Sequence, residues 1–173
     1  MPWDWPVEVN CFEAYAYCRW LTKTTCMAYR LPSEDEYYAM LKHINFDFKS
    51  ASNNIALKYA SPSPIDQHAT RGIYDPMGNV WQWTLTPMYP FKGFEVHSIY
   101  DDFTMPTFDD KHNMIKGGSW ISTGNLANPQ SRYAFRRHFF QHAGFRPVIP
   151  ERQDHWLKEE NLIADHEPTN VVT

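Results

Sequence analysis

Few groupings in this chain have the residue types and spacing that chemistry needs. His138 and His142 stand four apart. On a helix that spacing would put both imidazoles on one face, an arrangement metal sites use. Arg132, Arg136, Arg137 and Arg146 form a basic cluster, and Asp101, Asp102, Asp109 and Asp110 an acidic one. Both clusters read equally well as solvated surface. Cys11, Cys18 and Cys26 are odd in number and fall in one stretch, which argues against a disulfide framework. No Cys-x-x-Cys occurs, so a structural zinc site has no support. The expectation is three free, mostly buried thiols in a reducing, cytoplasmic setting.

The elements that must position these residues are bounded by composition. The 173 residues carry 16 Lys and Arg against 20 Asp and Glu, a net charge of −4, and 16% are aromatic. So aromatic a chain can bury enough surface to fold, and its mildly acidic balance excludes a general nucleic-acid binder. No apolar run approaches the roughly 20 residues of a membrane span, and no signal peptide is visible after Met1. The expected partners therefore include neither nucleic acid nor membrane. Residues 151–173 hold six acids and two bases, so the whole net charge sits there. This places a domain over 1–150 and an acidic tail or linker over 151–173, with one short helix near Trp156 to Ile163.

Within the domain, Asn10 with Glu13 and Ser33 with Glu36 have capping-box spacing. They predict helices over about 11–22 and 34–43. Phe12, Tyr15, Ala16, Trp20 and Leu21 recur at helical spacing as the apolar face of the first. Trp81, Trp83 and Leu85 alternate with Val80, Gln82 and Thr84 at strand period, after a Gly78-Asn79 turn. Short strands are also expected at 114–116 and 145–148. Residues 45–72 and 86–113 lack a period and read as long loops. The fold class is α+β: two helices, short antiparallel strands and loops that carry most of the information.

An ordered series of motifs then carries a resemblance. It runs through Pro6-Val7-Glu8-Val9-Asn10, Arg30-Leu31-Pro32-Ser33-Glu34-Asp35-Glu36 and Gly78-Asn79-Val80-Trp81-Gln82-Trp83-Thr84. It continues with Lys116-Gly117-Gly118-Ser119-Trp120 and closes on Gly144-Phe145-Arg146. Over about residues 6–148 this resembles the formylglycine-generating-enzyme, or sulfatase-modifying factor, superfamily. The resemblance implies a loop-rich fold related to C-type lectins, pinned by Trp20, Trp81, Trp83 and Trp120. Asn79, Val80 and Gln82 match a segment that binds calcium in some members, but Gln82 lacks the charge a hard cation wants. Formylglycine generation itself is not implied. Its two thiol positions, flanking Arg132-Tyr133, are here Gln130 and Phe135, and neither can ligate copper.

Residues 86–94, 99–103 and 131–146 are similar instead to the sulfoxide-synthase branch, nearest to the 5-histidylcysteine sulfoxide synthases of ovothiol biosynthesis. These join cysteine sulfur to the histidine imidazole with O2 at a non-haem Fe(II). The resemblance implies Tyr89 as a proton or hydrogen donor, against the alternative of a buried structural tyrosine. It implies Arg132, Arg136 and Arg137 as carboxylate partners for cysteine and histidine, because guanidinium offers a planar two-pronged fork. Some of these arginines have an alternative role, holding the acidic 101–110 loop. Asp101 or Asp102 would receive a substrate ammonium. In this branch three histidines of a separate N-terminal helical domain hold the iron. This chain begins already inside the other domain, so it reads as N-terminally incomplete, holding no metal ligands and inactive alone. His138 and His142 then read as surface or structural histidines. The alternative function is a non-catalytic, lectin-like binding or interaction module.

Overall fold

The computed structural model describes residues 2–152. The first helix, α1 (Cys11–Thr25), starts at a complete capping box. The Asn10 side chain accepts from the Glu13 N–H at 3.0 Å, and Glu13 accepts from the Asn10 N–H at 2.9 Å. α2 (Glu34–His43) starts the same way at Ser33 and Glu36, and Arg30 grips Glu36 at its entrance. Both helices lie where the capping signals place them, α1 running three residues longer than expected.

The apolar face expected for α1 is partly reversed. Its buried positions are Cys11, Ala14, Cys18 and Thr22, whereas Phe12 and Trp20 are exposed, Trp20 lying on Tyr17 at the surface. The reason is volume. Trp81 and Trp83 already fill the space facing the helix, so α1 can approach only with small side chains. Trp20 therefore does not pin the core. Cys11 and Cys18 are buried and Cys26 is exposed, so the thiols are mostly buried, as expected. Burial pushes the Cys11 thiol up to about 12, which makes it inert.

The central sheet has the order β5 (Tyr133–Arg136), β4 (His112–Lys116), β3 (Trp81–Pro87), β6 (Ala143–Gly144). β3, β4 and β5 pair antiparallel, and the two-residue β6 runs parallel to β3. β3 is buried on both faces from Trp81 to Thr84 and half-buried beyond. The Trp83 indole is fully buried and donates to the Val9 carbonyl at 2.9 Å, so its one polar atom is satisfied. Val9 in turn donates to the Ala143 carbonyl, and a Cβ at Gly144 would lie 2.6 Å from the Val7 carbonyl oxygen. That close approach requires glycine.

The strand expected over 145–148 lies at 143–144 instead, leaving only an isolated bridge between Val148 and Arg30. Pro147 lacks the N–H that a longer ladder would need. The 45–72 segment is turns ending in a minimal hairpin, β1 (Ala69–Thr70) and β2 (Ile73–Tyr74). The 86–113 segment contains one short helix, α3 (Asp101–Thr104), and a 3-10 turn over Met105–Thr107. The helix expected near Trp156 to Ile163 lies outside the described residues.

Candidate functional site

The densest charged grouping lies where α2, β3, β4 and the entry to β5 meet. The α2 start is fastened to β3 by the Glu34 N–H, which donates to the Thr86 hydroxyl at 2.8 Å, and this turns the Glu34 side chain into the protein. Glu34 is 3% exposed. Lys116, at the end of β4, is fully buried and uses its three ammonium protons on Glu34 Oε1 (3.3 Å), Tyr38 Oη (2.8 Å) and the Ser131 carbonyl (2.6 Å). Arg132, one residue before β5, donates from Nε to both Glu34 oxygens at 3.0 and 3.2 Å. One carboxylate thus serves two cations, and the grouping keeps a surplus positive charge.

Beyond β3 the chain leaves the sheet through Met88, which donates to the His112 carbonyl, and brings Tyr89 and Phe91 over Arg132. The guanidinium carbon sits 4.7 Å from the Tyr89 ring centre and 4.1 Å from that of Phe91. The two rings meet edge to face at 6.0 Å. Arg132 Nη1 donates to the Tyr89 carbonyl at 3.2 Å, while Nη2 is buried with no acceptor among the described residues. Tyr89 remains 40% exposed. Burial, and then the charge of Glu34, hold the Tyr38 phenol above its ordinary range, and burial lowers the Lys116 ammonium.

The remaining expected site residues do not join this grouping by any direct contact. Arg137 donates to Asn113 Oδ1 and to the Asp110 carbonyl, both at 2.8 Å, so it holds the acidic loop. Arg136 is exposed at the end of β5, opposite His112. Asp101 and Asp102 are exposed in the first turn of α3, where Asp101 accepts from the Asp102 N–H. Residues 138–142 are not helical, so the one-face argument for the two histidines fails. His142 pairs with Glu8 at 2.9 Å and packs on Trp120, while His138 packs on Phe139. Among the described residues no three His, Cys, Asp or Glu side chains converge as a metal site would need.

Glu34, Lys116 and Tyr38 were missed by motif and spacing. Glu34 has a sufficient local role at a helix start, and Lys116 stands beside two glycines that draw the eye first. The available signal was a lysine directly after the apolar Met114-Ile115 pair, at the end of a short expected strand.

A second buried polar network forms around the Gly78-Asn79 turn. Asn79 bonds the Ser63 backbone through both amide atoms (2.9 Å each) and donates to Asp75 Oδ2 at 3.0 Å. Arg146 donates to Gln82 Oε1 at 3.1 Å and to the carbonyls of Tyr74 and Asp75 at 2.6 and 3.1 Å. The oxygens that a cation would use here already surround a guanidinium, which does not fit calcium at Gln82.

The family described as sulfatase-modifying factor enzyme 1-like domain matches residues 2–150. A hercynine oxygenase of Mycobacterium tuberculosis is 28% identical over 169 residues, covering 84% of this chain and 37% of that protein. Ergothioneine biosynthesis protein 1 of Schizosaccharomyces pombe is 26% identical over 147 residues, covering 82% of this chain and 17% of that protein. The chain therefore spans well under half the length of these relatives. Among solved structures, PvdO from Pseudomonas aeruginosa (TM-score 0.63, 20% identical, 83% of this chain and 61% of that one) shares the fold. So does Treponema denticola variable protein 1 (TM-score 0.68, 16% identical, 85% and 72%).

Proposed function

The chain belongs to the sulfatase-modifying factor enzyme 1-like family, and from that premise we propose that it is the substrate-binding part of a sulfoxide synthase. The relatives named for hercynine oxygenation and ergothioneine biosynthesis support a sulfoxide-synthase-related domain. The finer reading, carried by the motifs of residues 86–94 and 131–146, is oxidative joining of cysteine to histidine in ovothiol biosynthesis. The observation that carries it is the Arg132 guanidinium. It is fixed through Nε by a buried carboxylate, stacked on Tyr89 and Phe91, and left with an unpaired Nη2 in a grouping of net positive charge.

An arginine so held is preorganised for a carboxylate. Glu34 has already set the plane of the fork, so little side-chain entropy remains to be lost on binding. The surplus charge supplies attraction, and the aromatic rings of Tyr89 and Phe91 keep water from the guanidinium faces. Tyr89, on a half-exposed ring beside that guanidinium, then holds or gives a proton to a bound substrate through its hydroxyl. Arg136, Asp101 and Asp102 remain proposed contacts for the second amino acid, and Arg137 is assigned to the loop it holds.

Iron does not fit the described residues, since no three suitable ligands converge. In this reading a helical domain with three histidines supplies the Fe(II) ligands. The described domain alone then lacks activity. The test is O2 consumption with cysteine and histidine. The purified chain with iron(II) is expected to be silent and to gain turnover when a three-histidine domain is added, and Tyr89→Phe is expected to divert product away from the sulfoxide. Turnover by the described domain alone contradicts the reading. Silence toward both amino acids with avid glycan or peptide binding would make it a lectin-like module.

A further inference from the structure

Away from Tyr89 and Arg132, a cleft of about 300 Å³ opens between the Gly78-Asn79 turn and the closing Phe145-Arg146-Pro147 segment. That size lies at the lower end for small-molecule sites. Its walls are Pro6, Tyr74, Phe145 and Pro147, and its polar lining includes Asp75 and Arg146. The two charges share the cleft but do not pair. Each perturbs the other electrostatically, yet no ion pair between them is seen among the described residues.

Each is also held from behind. Asp75 Oδ2 accepts from Asn79 while Oδ1 is buried with no donor among the described residues, in a residue only 9% exposed. Arg146 spends Nε and Nη2 on Gln82, Tyr74 and Asp75 acceptors, and no bond from Nη1 is seen among the described residues. A buried carboxylate oxygen without a donor is costly, and natural proteins rarely leave one unless a ligand or water completes it. A carboxylate that lacks a donor and a guanidinium edge that lacks an acceptor, on two residues lining one cleft walled by apolar rings, suit a molecule carrying an ammonium and a carboxylate on one carbon.

We propose that this cleft is a second binding site, for a free α-amino acid with an apolar side chain. The ammonium pairs with the Asp75 carboxylate, the carboxylate with Arg146 Nη1, and the side chain lies against Tyr74, Phe145 and Pro147. Arg146 excludes a divalent cation from the same place, because its guanidinium already occupies the surrounding oxygens. The site is separate from the Arg132 grouping and does not depend on the function proposed there.

The experiment is titration calorimetry of the full chain with L-phenylalanine, with phenethylamine and 3-phenylpropanoate as analogues carrying one charge each. Phenylalanine is expected to bind, with each analogue at least about tenfold weaker, a difference of about 1.4 kcal/mol. Asp75→Asn, which keeps the acceptor for Asn79, and Arg146→Lys should weaken phenylalanine by a similar factor. Tyr89→Phe and Arg132→Gln should leave its affinity unchanged. If a cleft variant fails to melt cooperatively, amide and aromatic shifts of the wild-type chain decide. Phenylalanine-induced shifts at Tyr74 and Phe145 support the site, and shifts only at Tyr89 and Phe91, or none, overturn it. Equal binding of phenethylamine, or stabilisation by calcium alone, also overturns it. Cysteine or histidine binding that depends on Arg132 is a separate readout, so the two proposals fail independently.

Discussion

Two buried polar networks flank the same strand, and they are built on opposite principles. On the side facing α2, Glu34 is shared between Lys116 and Arg132, so charge is left over and a guanidinium edge has no acceptor among the described residues. Beside the Gly78-Asn79 turn, Asp75 and Arg146 balance in number but stay apart, each tied to neutral amides and carbonyls. The first network presents surplus positive charge under two half-exposed aromatic rings. The second spends most of its polar atoms fixing the Gly78-Asn79 turn, where a Cβ on Gly78 would meet the Asn54 carbonyl oxygen at 2.5 Å. Unequal sharing leaves surplus charge at the first network, whereas the second fixes a turn and leaves one atom of each charge without a bond among the described residues.

The largest expected effect breaks the first network outright. Glu34→Ala leaves two cations uncompensated, one fully buried, and should cost about 3–5 kcal/mol, read as a lowered midpoint in denaturant. A loss under about 1 kcal/mol would mean that solvent already screens the pair.

The second network is tested through pH. Burial raises the Asp75 carboxyl from 3.8 to about 6, against the opposing influences of Asn79 and Arg146, with Asp66 adding slightly. Folding therefore takes up a proton between these values, and stability falls as pH rises from about 4 to about 6. Relative to Asp75→Asn, the wild-type chain should lose about 2 kcal/mol across that window. Parallel stability profiles for the two proteins would contradict the burial argument.

Smaller effects separate the three arginines. Arg137→Ala removes two hydrogen bonds that hold the Asp109–Asp110 loop and should cost about 1 kcal/mol in thermal stability. Arg136→Ala, at an exposed position, should stay within about 0.5 kcal/mol of wild type. Reversal of that order would exchange their assignments.

Much of the scaffold was legible because its signals are local. Both capping boxes and the β3 alternation depend on neighbours three or two residues away, and each formed where expected. The misread α1 face shows where locality ends. Whether Trp20 or Cys18 points inward depends on the volume already taken by Trp81 and Trp83, sixty residues on. β5 was missed because it is an edge strand, half-exposed along its length, with no clean alternation. In the candidate site, Tyr89 and Arg132 came from motif resemblance, and the structure puts them in contact. Glu34 and Lys116 could not be found that way, since their roles arise only when residues 82 apart in sequence meet in one buried grouping.

The central claim is that Arg132, held by Glu34 and stacked on Tyr89 and Phe91, receives a substrate carboxylate. Titration calorimetry of the full chain with cysteine and with histidine tests it most directly, comparing wild type with Arg132→Gln. The wild-type chain is expected to bind at least one of the two, and Arg132→Gln to weaken that binding at least about tenfold while still melting cooperatively. Affinity unchanged by Arg132→Gln, or no binding of either amino acid, would contradict it.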